Sequence, residues 1–250
     1  MLAQLARFAP DYHAIHPMTA TGPEECVALF MNHFRTLQLD IQYRIPGYVE
    51  WLLAQDAAIA YDAYRRQLKL VHHHRPVGER LVLKDPTHLV HLETVLALFP
   101  DARFVFTHRD PADALSSICS LYAHTRAIFS DDVDAAAIGG EILTGYWPRA
   151  LDRALALRAR IPKGRVADVR HADLSRDPIG TVETLYDDLG MCLDDHARDA
   201  LTAFLAGRRR EPVRIHEHSL EGFGLRPAAL DERFAAYRER FELARGPAAL

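Results

Sequence analysis

Residues 80–117, "RLVLKDPTHLVHLETVLALFPDARFVFTHRDPADALSS", constrain the fold most, because two short apolar runs each end abruptly in charge around an amphipathic segment. "RLVLK" and "ARFVFTH" are too short for free-standing helices and are rich in Val and Phe, which predicts strands buried on both faces. Between them Leu89, Leu92, Val95, Leu96 and Phe99 mark one face of a helix. Strand, helix and strand in so few residues read as a βαβ unit, whose right-handed crossover makes the strands parallel. The expected class is therefore α/β, a small parallel sheet flanked by many helices. Open α/β sheets bind ligands at the carboxyl edge of their strands. Lys84 and Arg109 are delivered to that edge, with Asp110 placed to cap a new helix and Pro111 at its first position. Free amides at a helix start favour an anion, Arg109 adds a bidentate fork, and Ser117 adds a hydroxyl two turns on. The edge reads as a phosphate site. Two plainer readings stay open: Arg109 as a surface ion pair with Asp110 or Asp113, and Lys84 as a solvated strand end beside Asp85.

Helix dominates elsewhere. Thr21 and Glu24 have capping-box spacing, and Val27, Phe30, Met31 and Phe34 form a stripe. Residues 45–74 read as one or two helices, 134–159 and 178–206 as mainly helical, "RVADVR" as a short strand, and "DERFAAYRERFELA" as a closing amphipathic helix. A chain of 250 residues can bury one sizeable core, so residues 1–250 are expected to form a single domain. A net charge of −4 argues against a general nucleic-acid binder or a polybasic membrane anchor. No run approaches the ~20 apolar residues of a membrane span, and the N-terminus lacks the apolar core of a secretory signal. Three scattered cysteines suggest no disulfide framework and fit a reducing cytoplasm. His72–His74 suggest a metal tract, but consecutive residues point in different directions on a helix, so a solvated helix end is the expectation and no metal is assigned. No dinucleotide fingerprint, HExxH or GxSxG occurs.

"LVLKDPTHLVHLETVLALFPDARFVFTHRDPADALSSICSLY" resembles the second half of the cofactor site in sulfotransferases that use 3′-phosphoadenosine 5′-phosphosulfate (PAPS), above all the bacterial sulfotransferase-family proteins with LK-(S/D)-P-x-H-L, FPDA and an RDP turn. "APDYHAIHPMTATGPEEC", "YVEWLLAQDAAIAYDAYRRQLKL", "ADLSRDPIGTVETLYDDLG" and "HSLEGFGL" are similar to that family as well. The resemblance implies a P-loop nucleotide-kinase-like fold and transfer of a sulfonate from PAPS to a hydroxyl or amine, with no metal. It implies that Arg109 and Ser117 grip the 3′-phosphate, that Lys84 steadies charge near the sulfonate, and that His88 is a candidate base. His171 stands near the adenine where relatives often carry Tyr. Residues 24–74 would form an acceptor-side helical region, with Tyr43, Tyr48 and Trp51 as wall or core residues, and residues 80–130 a βαβα cofactor half-site. The implied partners are a small-molecule, glycan or peptide acceptor, with self-association left open.

The family's opening strand and its G-x-P-R-S-G-T-T loop around the 5′-phosphosulfate are not found in the sequence. Oriented amides of that kind supply much of the charge stabilisation in such sites. The expectation is an N-terminally incomplete fold, from a mis-set start codon or a genuine loss, that transfers little sulfonate alone; the Arg208–Arg210 run is the fallback for the 5′ site. The alternative function is a non-catalytic remnant that binds nucleotide weakly or serves as an interaction module. A nucleotide kinase is disfavoured, since no GxxxxGK[ST] is present.

Overall fold

A computed structural model describes residues 18–19, 21–76, 78, 80–208 and 218–244, with only the backbone of Arg208. These residues group into two compact units. The first takes the described residues up to Pro100, with Leu121–Asp134 and Ile142–Leu157; the second takes Asp101–Ser120, Ala135–Glu141 and the described residues from Arg158 onward. Most of the Arg208–Arg210 run falls outside the described residues.

The first unit is helical. It contains α1 (Val27–Met31), α2 (Gln38–Gln42), α3 (Pro46–Leu53), α4 (Ala57–His74) and α5 (Leu92–Leu98), with a 3-10 turn at Pro86–Leu89. The Asp56 carboxylate caps α4 by accepting from the Ala58 amide at 2.9 Å. Ala60, Tyr61 and Tyr64 make one buried stripe on α4, and Phe30 of α1 stacks on Tyr64 with ring centroids 4.6 Å apart. The capping box does not form. Helix α1 begins only at Val27, the Glu24 carboxylate accepts from the Glu25 amide, and of the expected stripe Phe30 is buried while Phe34 is 69% exposed. Three residues past the end of α1, Phe34 has a φ of 55°, in the left-handed region.

The second unit holds the sheet. Strands β1 (Phe104–His108) and β2 (Val166–Arg170) pair in parallel, with Phe104 opposite Val166 and His108 opposite Arg170. Helices α9 (His171–Arg176) and α10 (Pro178–Asp188) pack on β2. Leu230, Phe234 and Phe241 of α12 (Pro227–Phe241) are buried along one face. The remaining helices are α6 (Pro111–Arg126), α7 (Ala135–Thr144), α8 (Tyr146–Arg158) and α11 (Asp195–Arg208). The α/β class therefore holds, but the first expected strand does not. Residues 80–84 form no strand and have no strand partner among the described residues, and Val82 is 97% exposed. Among the described residues, the Lys84 carbonyl accepts a backbone hydrogen bond from the Cys26 amide at 2.9 Å. An apolar run records a tendency to extend; the ladder needs a partner that local sequence does not specify.

Candidate functional site

In the second unit the sheet register does the placing. Because His108 lies opposite Arg170 in a parallel pair, Arg109 and His171 leave the same carboxyl edge. Pro111 opens α6, where its missing N–H costs nothing. The Arg109 side chain is 42% exposed, and its Nε lies 3.8 Å from Asp113 Oδ2, a loose pair one turn along the helix. The buried Asp110 carboxylate accepts instead a 2.7 Å bond from Arg238 Nε, and Arg238 also reaches Asp231 at 2.7 Å. The half-buried Ser117 hydroxyl makes no hydrogen bond among the described residues. His171 is the exposed first residue of α9, with no stacking partner among them.

Two histidines carry roles that sequence reasoning did not assign. His108, 2% exposed, has Nδ1 2.8 Å from the Tyr237 hydroxyl and Nε2 2.8 Å from Asp168 Oδ1, and its ring stacks on Phe241 at 3.7 Å. Arg158 forks onto the same Asp168 carboxylate. Burial lowers the His108 pKa, against the raising pull of Asp168. This net fixes the residue immediately before Arg109. His218 places Nδ1 2.9 Å from the Ser116 hydroxyl, which also donates to the Ala112 carbonyl. Its pKa is lowered by burial first and then by the Arg109 charge, which puts the ring in the electrostatic neighbourhood of Arg109. In the sequence that segment stands out only as a whole, as "HSLEGFGL".

Lys84 and His88 belong to the first unit. Lys84 Nζ pairs with Glu25, not with Asp85, and the lysine side chain stays 63% exposed. Asp85 is buried and caps the 3-10 turn, its Oδ1 accepting from the Thr87 amide at 2.8 Å and the Thr87 hydroxyl at 2.6 Å. Its Oδ2 is buried with no partner among the described residues, and burial raises the carboxyl pKa. His88 Nδ1 lies 2.8 Å from the Tyr61 hydroxyl. Burial lowers the pKa of both His88 and His91 to about 4, with Arg153 and His88 adding to the effect on His91.

Beside them lies a small cavity of about 20 Å³, lined by residues that include Phe30, Leu37, Leu52, Tyr61, Thr87 and His91. That is room for about one water. Tyr43, Tyr48 and Trp51 do not line it. Tyr48 donates to backbone carbonyls, at 2.6 Å from Phe34 and 3.0 Å from Thr36; Trp51 packs under Arg35, and Tyr43 against Phe129. His72–His74 form the last turn of α4, where imidazoles suit the negative end of the helix dipole.

Comparison with known proteins points one way. The solved sulfotransferase STF1 of Mycobacterium tuberculosis is 34% identical, with a TM-score of 0.75 over 94% of this chain and 62% of its own. Sulfotransferase STF9 of Mycobacterium avium is 25% identical, with a TM-score of 0.79 over 97% of this chain and 64% of its own. Omega-hydroxy-beta-dihydromenaquinone-9 sulfotransferase Stf3, from Mycobacterium bovis and Mycobacterium tuberculosis, is 28% identical over 156 residues, 59% of this chain. The match spans 39% of the length of those curated relatives. The model of the Sulfotransferase family matches residues 2–195, and with the small parallel sheet and its Arg109 edge this places the chain in that family.

Proposed function

We propose that the protein serves transfer of a sulfonate from PAPS to an acceptor hydroxyl or amine. The S–O bond to the donor's phosphate breaks, a bond from the acceptor oxygen or nitrogen to sulfur forms, the 3′,5′-bisphosphate departs and the acceptor proton is released. The observation that carries this reading is the Arg109 edge. A half-exposed guanidinium, held only loosely by Asp113, stands at the start of α6 with the uncommitted Ser117 hydroxyl in the same helix. In this reading Arg109 and Ser117 hold the 3′-phosphate, and His171 lies toward the adenine.

Lys84 counters charge on the leaving and transferring oxygens, and His88 offers its imidazole to the reacting groups. The ion pair between Lys84 and Glu25 does not oppose that role, because a pair this exposed is worth at most ~1 kcal/mol and yields to a phosphate or sulfonate oxygen. A hydroxyl acceptor agrees with the omega-hydroxy substrate in the name of the mycobacterial relatives, though small molecules, glycans and peptides all present suitable groups. Cytoplasmic placement goes with the three free cysteines, and among the described residues no helix is long and apolar enough to cross a membrane.

Calorimetric titration of adenosine 3′,5′-bisphosphate and adenosine 5′-phosphate tests the clamp. Arg109→Ala is expected to weaken the bisphosphate about tenfold to a hundredfold, the ~1.5–3 kcal/mol of a lost charged hydrogen bond, and to leave the monophosphate nearly unchanged. Equal losses for both ligands would remove Arg109 from the 3′-phosphate. The non-catalytic alternative is separated by assaying transfer from PAPS directly: binding without turnover supports it.

A further inference from the structure

The Tyr61 hydroxyl has one hydrogen-bond partner among the described residues, His88 Nδ1 at 2.8 Å. Tyr61 is 1% exposed and sits among Phe30, Tyr64, His88 and His91, and it also lines the small cavity with room for about one water. A buried phenol proton needs an acceptor, and an imidazole nitrogen either accepts or donates according to tautomer. If His88 Nδ1 carried the proton, the ring would donate to the phenol oxygen, a weaker acceptor than a bare imidazole nitrogen, and the Tyr61 proton, with no other acceptor among the described residues, would depend on a single water in that cavity. If Nδ1 is bare, the phenol donates to it and both groups are satisfied. Burial keeps the imidazole neutral near pH 7 and keeps the phenol protonated, so neither escape by ionisation is open. A neutral imidazole with a bare Nδ1 carries its proton on Nε2. His88 Nε2 itself has no hydrogen-bond partner among the described residues and is not one of the buried orphaned atoms, so it is open to an incoming group.

We propose that Tyr61 is a positioning residue that locks His88 as the Nε2–H tautomer, so that His88 presents a hydrogen-bond donor to an oxygen of the reacting groups and not a lone pair to an acceptor's proton. The tautomer follows from the Tyr61–His88 hydrogen bond between two buried neutral groups; the identity of the oxygen rests on the sulfonate-transfer reading. This reverses the role that the resemblance implies for His88. A neutral N–H aimed at an oxygen that gains negative charge stabilises the transition state without any change of protonation, and pre-setting it by a buried phenol removes the need to reorient a ring during reaction.

Nitrogen-15 spectra of the histidine rings test the tautomer on the intact 250-residue protein, with the His88 signals assigned by their loss in His88→Gln. The expected pattern is a bare Nδ1 and a protonated Nε2 from about pH 5.5 to 8, giving way in Tyr61→Phe to a mixture of tautomers. A protonated Nδ1 in the unmodified protein overturns the proposal, and that measurement needs no variant to fold differently or to be active. Transfer assays supply the second arm, because a glutamine amide reproduces the Nε2–H donor but cannot act as a base. His88→Gln should retain turnover within about tenfold, whereas His88→Ala should lose about 10²–10³. Equal collapse of both variants overturns the donor role. Absence of transfer in the unmodified protein counts against the sulfonate-transfer reading, and the ring spectra still decide the tautomer.

Discussion

Acidification should unfold the first unit through two histidines. His88 and His91 have pKa values lowered to about 4 by burial, against 6.5 for an unhindered histidine. A folded pKa below the unfolded one means that the unfolded chain takes up protons first as pH falls. The stability is fully present above about 6.5 and is lost as pH drops toward 4. For one such ring, moving from pH 7 to pH 5 costs about 2 kcal/mol, and the two together about 3–4 kcal/mol, a large share of a typical folding free energy. Asp85 acts in the opposite sense, since its raised pKa lets the folded state take up a proton first, but only in the window above its ordinary 3.8. Both tryptophans of the chain, Trp51 and Trp147, belong to the same unit as these histidines, so urea unfolding followed by tryptophan fluorescence reports on it. The expected result is a fall in unfolding free energy of about 3 kcal/mol between pH 7 and 5, reduced by about half in His91→Gln. A flat profile, or a slope untouched by replacing both His88 and His91, would refute the reasoning.

Other perturbations are equally direct. Asp110→Ala should cost about 3 kcal/mol, near the lower end for breaking a buried pair, because Arg238 is 11% exposed and keeps Asp231; chemical denaturation measures it. Gly139→Ala should destabilise by about 1–3 kcal/mol, since the added Cβ would lie 2.0 Å from the Phe223 carbonyl oxygen, a backbone atom that cannot swing away. Iodoacetamide on the native protein should label the exposed Cys192 and spare Cys119, which is wholly buried with its thiol pKa pushed up to about 12; peptide mass mapping reads this out.

Residues 102–108 and 165–170 announced themselves as strands, and Pro111 announced the helix that follows Arg109. Those signals are local: apolar β-formers in a short run, and a proline where a helix can begin. "RLVLK" carried the same signal with equal strength, yet Val82 is almost fully exposed, because strand identity depends on a partner found far away in the chain. Lys84 illustrates the same limit, since its counter-ion Glu25 stands 59 residues upstream while Asp85, its neighbour in sequence, turns inward to cap a 3-10 turn. Arg109 and Ser117 could be read as candidates because their spacing on one helix start is itself the signal. His88 could be nominated by motif, but not its tautomer, which is set by a tyrosine 27 residues away. Nothing in "VFTHRD" marks His108 as a buried hub, since each of its partners comes from a distant segment.

The His108 net also dictates an order of assembly. Its aspartate partner lies 60 residues downstream and its tyrosine partner 129 residues downstream. During synthesis at about 5–20 residues per second, β1 is therefore complete for several seconds before β2 can pair with it, and for longer before α12 can cover the imidazole. Throughout that interval the strand that leads into Arg109 has an open hydrogen-bonding edge and an imidazole without its phenol. Pairings this far apart in the chain close late and slowly, because the loop entropy is spent before the contacts repay it. The sheet edge proposed here to hold a nucleotide is thus among the last parts of the molecule to become rigid, and a nascent chain stalled short of Tyr237 would expose it to chaperones and proteases alike.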